Sequence, residues 1–217
     1  MILHLVTDRR RLSPDDEAAS FSCLLEQARF AVAAEIDVIQ LREGDLDGGQ
    51  LATLAAAIVG VTRGSSTRVV VNERLDVALA AGADGVHLRG DTFDASRVRS
   101  MVAPGFLIGR SVHSRSEALD AGPVDYIIAG TVWTTPSKPD GHPLLGPEGL
   151  ADIAAASPVP VIGIGGVAAG RAQALAVAGA AGGAAIGAFQ GRGSGCLAIP
   201  LQTVTQSFRQ AYVAANM

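Results

Sequence analysis

Short apolar runs recur along this 217-residue chain, and each is followed by a segment whose apolar residues return at helical spacing. The apolar runs are residues 3–8, 38–43, 68–73, 85–89, 107–113, 126–133, 159–166 and 184–189. The helical segments are residues 15–34, 46–61, 75–81, 95–101, 114–121, 147–156, 168–178 and 199–214. Near-continuous β-branched runs bounded by polar residues or glycine are typical of strands buried on both faces. The pattern therefore predicts eight alternating strand–helix units.

Eight such units in one compact chain favour a single (β/α)8 TIM barrel spanning residues 1–217, of the α/β class. An open, doubly wound sheet is the main alternative. No GxGxxG motif follows the first strand, which argues against dinucleotide binding on such a sheet. Residues 134–146 form the one long loop, rich in proline and glycine, after the sixth strand. Its place at the carboxyl face predicts a lid or ligand-binding loop.

Composition and charge indicate which classes of binding partner to expect. The net charge is −4 and no basic patch stands out, which argues against nucleic acid. No apolar run reaches the roughly 18 residues of a membrane helix, and residues 1–8 do not fit a signal peptide. Cys23 and Cys196 lack metal-type spacing, so we expect unpaired thiols in a reducing cytosol. We therefore expect a cytoplasmic protein with a small-molecule ligand and neither a nucleic-acid nor a membrane partner.

The carboxyl ends of the predicted strands carry polar side chains, and a barrel brings those ends to one mouth. The unit at residues 69–89 alone places Asn72 and Glu73 after one strand and His87 on the next. Structural alternatives are an Arg42–Glu43 ion pair and a core role for His87. The full set at the mouth comprises Thr7, Asp8, Gln40, Arg42, Glu43, Asn72, Glu73, His87, Arg89, Asp91, Ser111, His113, Thr131, residues 134–138 (among them Thr135, Ser137 and Lys138), Gly165, Gly166 and Gly187. Cations and amides beside carboxylates suit an anionic or metal-bound ligand.

Small residues end the last two strands and predict a phosphate site. Gly165 and Gly166 follow the seventh strand, and Gly187 and Ala188 follow the eighth. Small residues let backbone N–H groups approach an anion at a helix N-terminus, and barrels often bind phosphate after these two strands. The alternative is close packing of glycines without a ligand.

At this point the sequence resembles the thiamine phosphate synthase/TenI superfamily, nearly from end to end. The order and spacing of its short motifs carry the resemblance: LVTD (5–8), IQLRE (39–43), VNERLDVALAAGADGVHL (71–88), IGRSVHS (108–114), DYIIAGTVWTTPSK (125–138), GPEGL (146–150) and VPVIGIGGV (159–167). The resemblance implies a barrel that holds a thiazole phosphate at its mouth, with the phosphate on the loops after strands 7 and 8. Barrels of this superfamily commonly pair, so a homodimer is expected.

Two chemistries share this superfamily. A synthase joins an aminopyrimidine methyl diphosphate to the thiazole phosphate and releases pyrophosphate, which calls for Mg²⁺ and cationic clamps. A TenI-type tautomerase moves a proton on a thiazole carboxylate phosphate, which needs an acid and a base and no metal.

On the synthase side, seven positions match pyrimidine and pyrophosphate contacts: Gln40, Arg42, Asn72, Ser111, Thr135, Ser137 and Lys138. Gly44 departs from the family's lysine, and Glu73 stands where a metal-binding aspartate is usual. A second metal-binding aspartate falls near Thr92, with Asp91 beside it. If the chain is a synthase, Glu73 and Asp91 are therefore the expected Mg²⁺ ligands.

On the tautomerase side, the IGRSVHS segment resembles the corresponding segment of TenI-type proteins. The altered metal-binding positions are consistent with a reaction that needs no metal. The family's catalytic histidine is replaced by Thr131, so His87, His113 or Glu73 would have to serve as the base, with His142 of the long loop a further candidate. We expect a metal-independent, cofactor-free thiazole tautomerase that binds its substrate partly through Thr131. The alternatives are a Mg²⁺-dependent synthase, in which Lys138 acts on the diphosphate, and a non-catalytic regulatory protein that binds thiazole phosphate.

Overall fold

Eight parallel strands form a closed barrel. The computed structural model describes residues 1–90, 92–190 and 201–214. Each strand pairs with the next in sequence, and the eighth pairs with the first. The predicted single (β/α)8 barrel is therefore confirmed. The strands are β1 (Ile2–Val6), β2 (Val38–Leu41), β3 (Arg68–Asn72), β4 (Gly85–Leu88), β5 (Leu107–Val112), β6 (Tyr126–Gly130), β7 (Val161–Ile164) and β8 (Gly182–Ala185).

Helices follow the strands around the outside of the barrel. Polar side chains fix where several of them begin, since they accept N–H groups that the first helical turn leaves unpaired. Asp16, Asp47 and Ser114 each accept a backbone N–H three residues further on. The helices in the described residues are α1 (Arg9–Leu12), α2 (Glu17–Ala33), α3 (Gly48–Thr62), α4 (Leu75–Ala81), α5 (Ala95–Arg99), α6 (Arg115–Leu119), α7 (Gly146–Ala156), α8 (Ala172–Val177) and α9 (Leu201–Val213).

The structure differs from the sequence prediction at the eighth strand. That strand was predicted at 184–189, but β8 starts at Gly182 and ends at Ala185, and a short 3₁₀ turn covers Gly187–Phe189. A Cβ at Gly182 would overlap the backbone of Ile2 on β1. Glycine is therefore used here for close strand approach, although its low strand propensity hides it from a pattern of apolar residues.

Two structural observations bear on features considered in the composition. Across residues 1–90, 92–190 and 201–214, no helix has both the length and the apolar character needed to span a bilayer. Cys23, buried on α2, is disulfide-bonded, so the expectation of an unpaired thiol is wrong for this residue. Cys196 lies outside the described residues. The disulfide removes the argument from free thiols for a reducing compartment.

Candidate functional site

Two amides from neighbouring strands lie together at the barrel mouth. Gln40 lies one residue before the end of β2 and Asn72 ends β3, and Gln40 Nε2 donates to Asn72 Oδ1 at 2.8 Å. Gln40 is 3% exposed, and its Oε1 makes no hydrogen bond of good geometry within the described part of the chain, although the buried ring of His4 interacts with the same amide. A buried, unpaired acceptor costs free energy, so it favours a ligand with a matching N–H donor. The pair thus offers an acceptor from Gln40 and free amide donors from Asn72.

A buried polar network lies beneath these amides. The ring of His87 bonds Ser111 Oγ through Nε2 at 2.9 Å and Tyr126 OH through Nδ1 at 3.3 Å. Burial lowers the pKa of His87 to about 3, with a further contribution from His4, and burial raises the pKa of Tyr126. His87 is therefore neutral at pH 7. It orients Ser111 from below, as a core histidine does, and is poorly suited to take up a proton.

The carboxylate of Glu43 is turned inward to a buried arginine. It accepts Thr7 Oγ1 at 2.6 Å, the backbone N–H of Arg9 at 3.1 Å and Arg9 Nη1 at 3.2 Å. Arg9 also makes a two-pronged contact to Asp45, at 2.7 Å for each nitrogen. Burial raises the pKa of Glu43 despite these bonds, whereas the bond from Arg9 lowers that of Asp45 to about 2.

The partner of Glu43 is therefore Arg9 and not Arg42. Arg42 is left exposed on the mouth, where its side chain can meet an anion. Sequence reasoning missed Arg9 because the residue lies on α1, a single helical turn without apolar periodicity. The acidic pattern of residues 43 and 45 was the only available signal.

Glu73 stands at the mouth in a left-handed backbone conformation, with φ of 61°. Its N–H donates to the carbonyl of His87 at 2.8 Å, and its carboxylate lies 3.6 Å from Arg89 Nη1. Asp91, the second predicted metal ligand, lies outside the described residues. Within the described ranges, no three histidine, cysteine, aspartate or glutamate side chains are grouped to hold a metal ion.

The loop after β6 folds back on its own first residues. His142 Nε2 lies 3.3 Å from Thr131 Oγ1, while the Thr135 and Ser137 hydroxyls lie 3.1 Å apart. The backbone N–H of Lys138 donates to Thr135, which places this exposed residue, the only lysine of the chain, on a tight turn. His113, also exposed, bonds the carbonyl of Gly130 through Nδ1 at 2.5 Å.

The turns after β7 and β8 lie side by side, because Ile164 pairs with Ala184. Gly165 and Gly166 have φ of 98° and 63°. The N–H groups of Gly166, Val167, Gly187 and Ala188 donate to no backbone acceptor in the described ranges. The expected helix N-terminus is replaced by a 3₁₀ turn (Ala169–Arg171) ahead of the short α8. Turn amides, rather than a long helix, thus form the candidate phosphate site.

Comparisons with known proteins agree with this barrel. The sequence profile described as thiamine monophosphate synthase matches residues 3–189. A thiamine-phosphate synthase of Azorhizobium caulinodans is 39% identical over 189 residues, which cover 86% of each chain. One from Methanoculleus marisnigri is 43% identical over 168 residues, covering 76% of this chain and 80% of its own. A thiamine phosphate pyrophosphorylase from Pyrococcus furiosus superposes with a TM-score of 0.79 at 29% identity, covering 99% and 96%.

These relatives correct the leading functional prediction. Curated relatives with about 40% identity are named thiamine-phosphate synthases, so the expectation of a TenI-type tautomerase is wrong. The general-base roles of His87 and His113 belonged to that interpretation and fall with it. The roles predicted for the synthase positions remain predictions. The chain belongs to the thiamine monophosphate synthase family.

Proposed function

We propose that this protein is a thiamine-phosphate synthase, which joins an aminopyrimidine methyl diphosphate to a thiazole phosphate and releases pyrophosphate. The observation that carries the proposal is the match of nearly the whole barrel to synthases at 39–43% identity. The polar mouth supports it, because separate groups suit the three parts of the two substrates: side chains suit the pyrimidine and the diphosphate, and backbone amides suit the thiazole phosphate.

The aminopyrimidine would bind on the side of β2 and β3. The unpaired Oε1 of Gln40 matches an exocyclic amine, and the amide donors of Asn72 match ring nitrogens. Ser111, fixed by the neutral ring of His87, closes this side of the site. His87 thus fixes Ser111, while Gln40 and Asn72 fix each other, and rigid placement favours a reactive geometry.

The diphosphate would lie between the exposed cations Arg42 and Lys138. Departure of pyrophosphate builds negative charge on the leaving oxygen. Positive side chains already in place there would therefore lower the activation barrier of the coupling reaction. Lys138 is carried on the turn that the Thr135 and Ser137 hydroxyls tighten, and all three side chains belong to the loop over the mouth. This arrangement suits pyrophosphate, whose oxygens accept several donors.

Mg²⁺ fits the donor chemistry at Glu73. The Glu73 side chain is 26% exposed and offers hard carboxylate oxygens at the mouth. Mg²⁺ in such sites is commonly held by one or two carboxylates together with substrate phosphates. When bound, Mg²⁺ would neutralise charge on the diphosphate. Glu73 would hold it after giving up the contact with Arg89, and Asp91 remains a predicted second ligand.

The proposal is tested by mixing the protein with both substrates and following pyrophosphate release, with Mg²⁺ and with a chelator. We expect release that depends on both substrates and on Mg²⁺. A titration with thiazole phosphate alone runs in parallel. Tight thiazole phosphate binding without pyrophosphate release would overturn the proposal and favour a non-catalytic binding protein.

A further inference from the structure

Arg171 packs directly against the candidate phosphate turn. Its Nη1 donates to the carbonyl of Gly166 at 2.6 Å, and its guanidinium carbon lies 5.2 Å from the centroid of the Trp133 ring. It forms no ion pair with any carboxylate of the described ranges. Its positive charge is therefore held in place by a carbonyl and an aromatic face, both of which leave it unneutralised.

The two carbonyls of the turn are both drawn to one side. Gly165 O accepts the N–H of Trp133 at 3.1 Å, and Gly166 O accepts Arg171. In a planar trans peptide the C=O and the following N–H point in opposite directions. The N–H groups of Gly166 and Val167 are therefore aimed away from Trp133 and Arg171, and neither donates to a backbone acceptor in the described ranges.

We propose that Arg171 is a positioning residue for substrate phosphate: it fixes the Gly166–Val167 peptide so that the Val167 N–H faces the anion. This inference rests on the proposed function and adds to it a residue outside the amide turns themselves. A cation on the carbonyl also polarises the same peptide, which strengthens its N–H as a donor. Trp133 keeps the guanidinium over the carbonyl through its ring face.

The test compares binding of thiazole phosphate with binding of the unphosphorylated thiazole alcohol, both by calorimetry. Arg171→Met should weaken thiazole phosphate on the order of tenfold or more, and should leave the alcohol within about twofold. Arg171→Lys retains a charged donor and should keep most of the affinity. In steady-state coupling, Arg171→Met should raise KM for thiazole phosphate and leave kcat at saturation and KM for the diphosphate substrate unchanged.

Two further variants separate positioning from general damage. Arg63→Met removes the same charge from an exposed residue where α3 ends, and should leave thiazole phosphate binding unchanged. Trp133→Phe keeps an aromatic face and should bind thiazole phosphate nearly as the unaltered protein does, whereas Trp133→Ala should weaken it by roughly 2- to 30-fold. Because the ratio of phosphate to alcohol affinity is taken within one variant, partial unfolding does not change it.

The outcomes distinguish this inference from the proposed function. Unchanged thiazole phosphate affinity in Arg171→Met overturns the inference, as does an equal loss for phosphate and alcohol. Neither result touches coupling by the unaltered protein. Conversely, an unaltered protein that binds thiazole phosphate through Arg171 but releases no pyrophosphate overturns the synthase proposal alone. Absence of thiazole phosphate binding by the unaltered protein would overturn both.

Discussion

Replacing Gly166 by alanine tests whether the turn after β7 leaves no room for a side chain at this position. At this position φ is +63°, a region that L-residues rarely adopt. A Cβ built there lies 2.5 Å from the carbonyl oxygen of Thr134, 2.6 Å from Arg171 Nη1 and 2.9 Å from Trp133 Cβ. The oxygen and the Cβ belong to, or adjoin, the backbone, so relief of the overlap requires the turn itself to move.

Substitutions at two other glycines separate backbone strain from overpacking in the loss of folding free energy. Gly64 has φ of +81° and open space around its Cβ, so Gly64→Ala should cost about 1–2 kcal/mol from backbone strain alone. Gly170 has open space and no positive φ, so Gly170→Ala should be neutral or stabilise by about 0.4–1 kcal/mol. Gly166→Ala combines strain with overpacking, which adds about 1–3 kcal/mol, for a total of about 2–5 kcal/mol.

The assay is urea denaturation of the three variants, followed by calorimetric titration with thiazole phosphate. We expect Gly166→Ala to be the least stable and to lose thiazole phosphate binding, because a shifted turn misaims its N–H donors. Gly64→Ala and Gly170→Ala should bind as the unaltered protein does. If Gly166→Ala loses no more stability than Gly64→Ala, the turn is not closed. If it binds thiazole phosphate normally, the phosphate does not sit on this turn.

Three more outcomes follow from the described contacts. Lys138→Ala should lower kcat/KM for coupling by about 10²–10³-fold without changing thiazole phosphate affinity. Because Lys138 is the only lysine of the sequence, pyrophosphate should protect its side chain from an amine-selective reagent. An unchanged coupling rate in the variant would refute the role of Lys138. Burial lowers the pKa of His4 and His87 to about 3, so the unfolded chain takes up their protons first. The free energy of unfolding should therefore fall between pH 6 and pH 5 by about 1.4 kcal/mol per pH unit for each histidine, and a flat urea-denaturation profile would contradict their burial as neutral rings. Glu43→Ala should cost about 3–5 kcal/mol in urea denaturation, because it strips a buried partner from Arg9; a loss under 1 kcal/mol would show that Asp45 alone satisfies that cation.

The barrel was predictable because each of its strands is buried on both faces and so reads as an apolar run. The same logic predicts Gln40 and Asn72 at one mouth from sequence alone, since parallel strands carry their carboxyl ends to the same side. It did not reveal that the two amides bond each other. Nor did it reveal the inward turn of Glu43 to Arg9, which depends on how a single helical turn packs after β1.

The tautomerase prediction was wrong because each departure from the synthase pattern was interpreted as the loss of a catalytic feature. Glu73 was taken to weaken a metal site because it is one methylene longer than aspartate, yet its left-handed backbone still brings hard carboxylate oxygens to the mouth. Gly44 was taken as a missing cation, but the exposed side chains of Arg42 and Lys138 still bring positive charge to this face. Site electrostatics depend on the summed charge around the ligand, not on one position, so a mouth can lose one cation and keep a chemistry that depends on charge neutralisation.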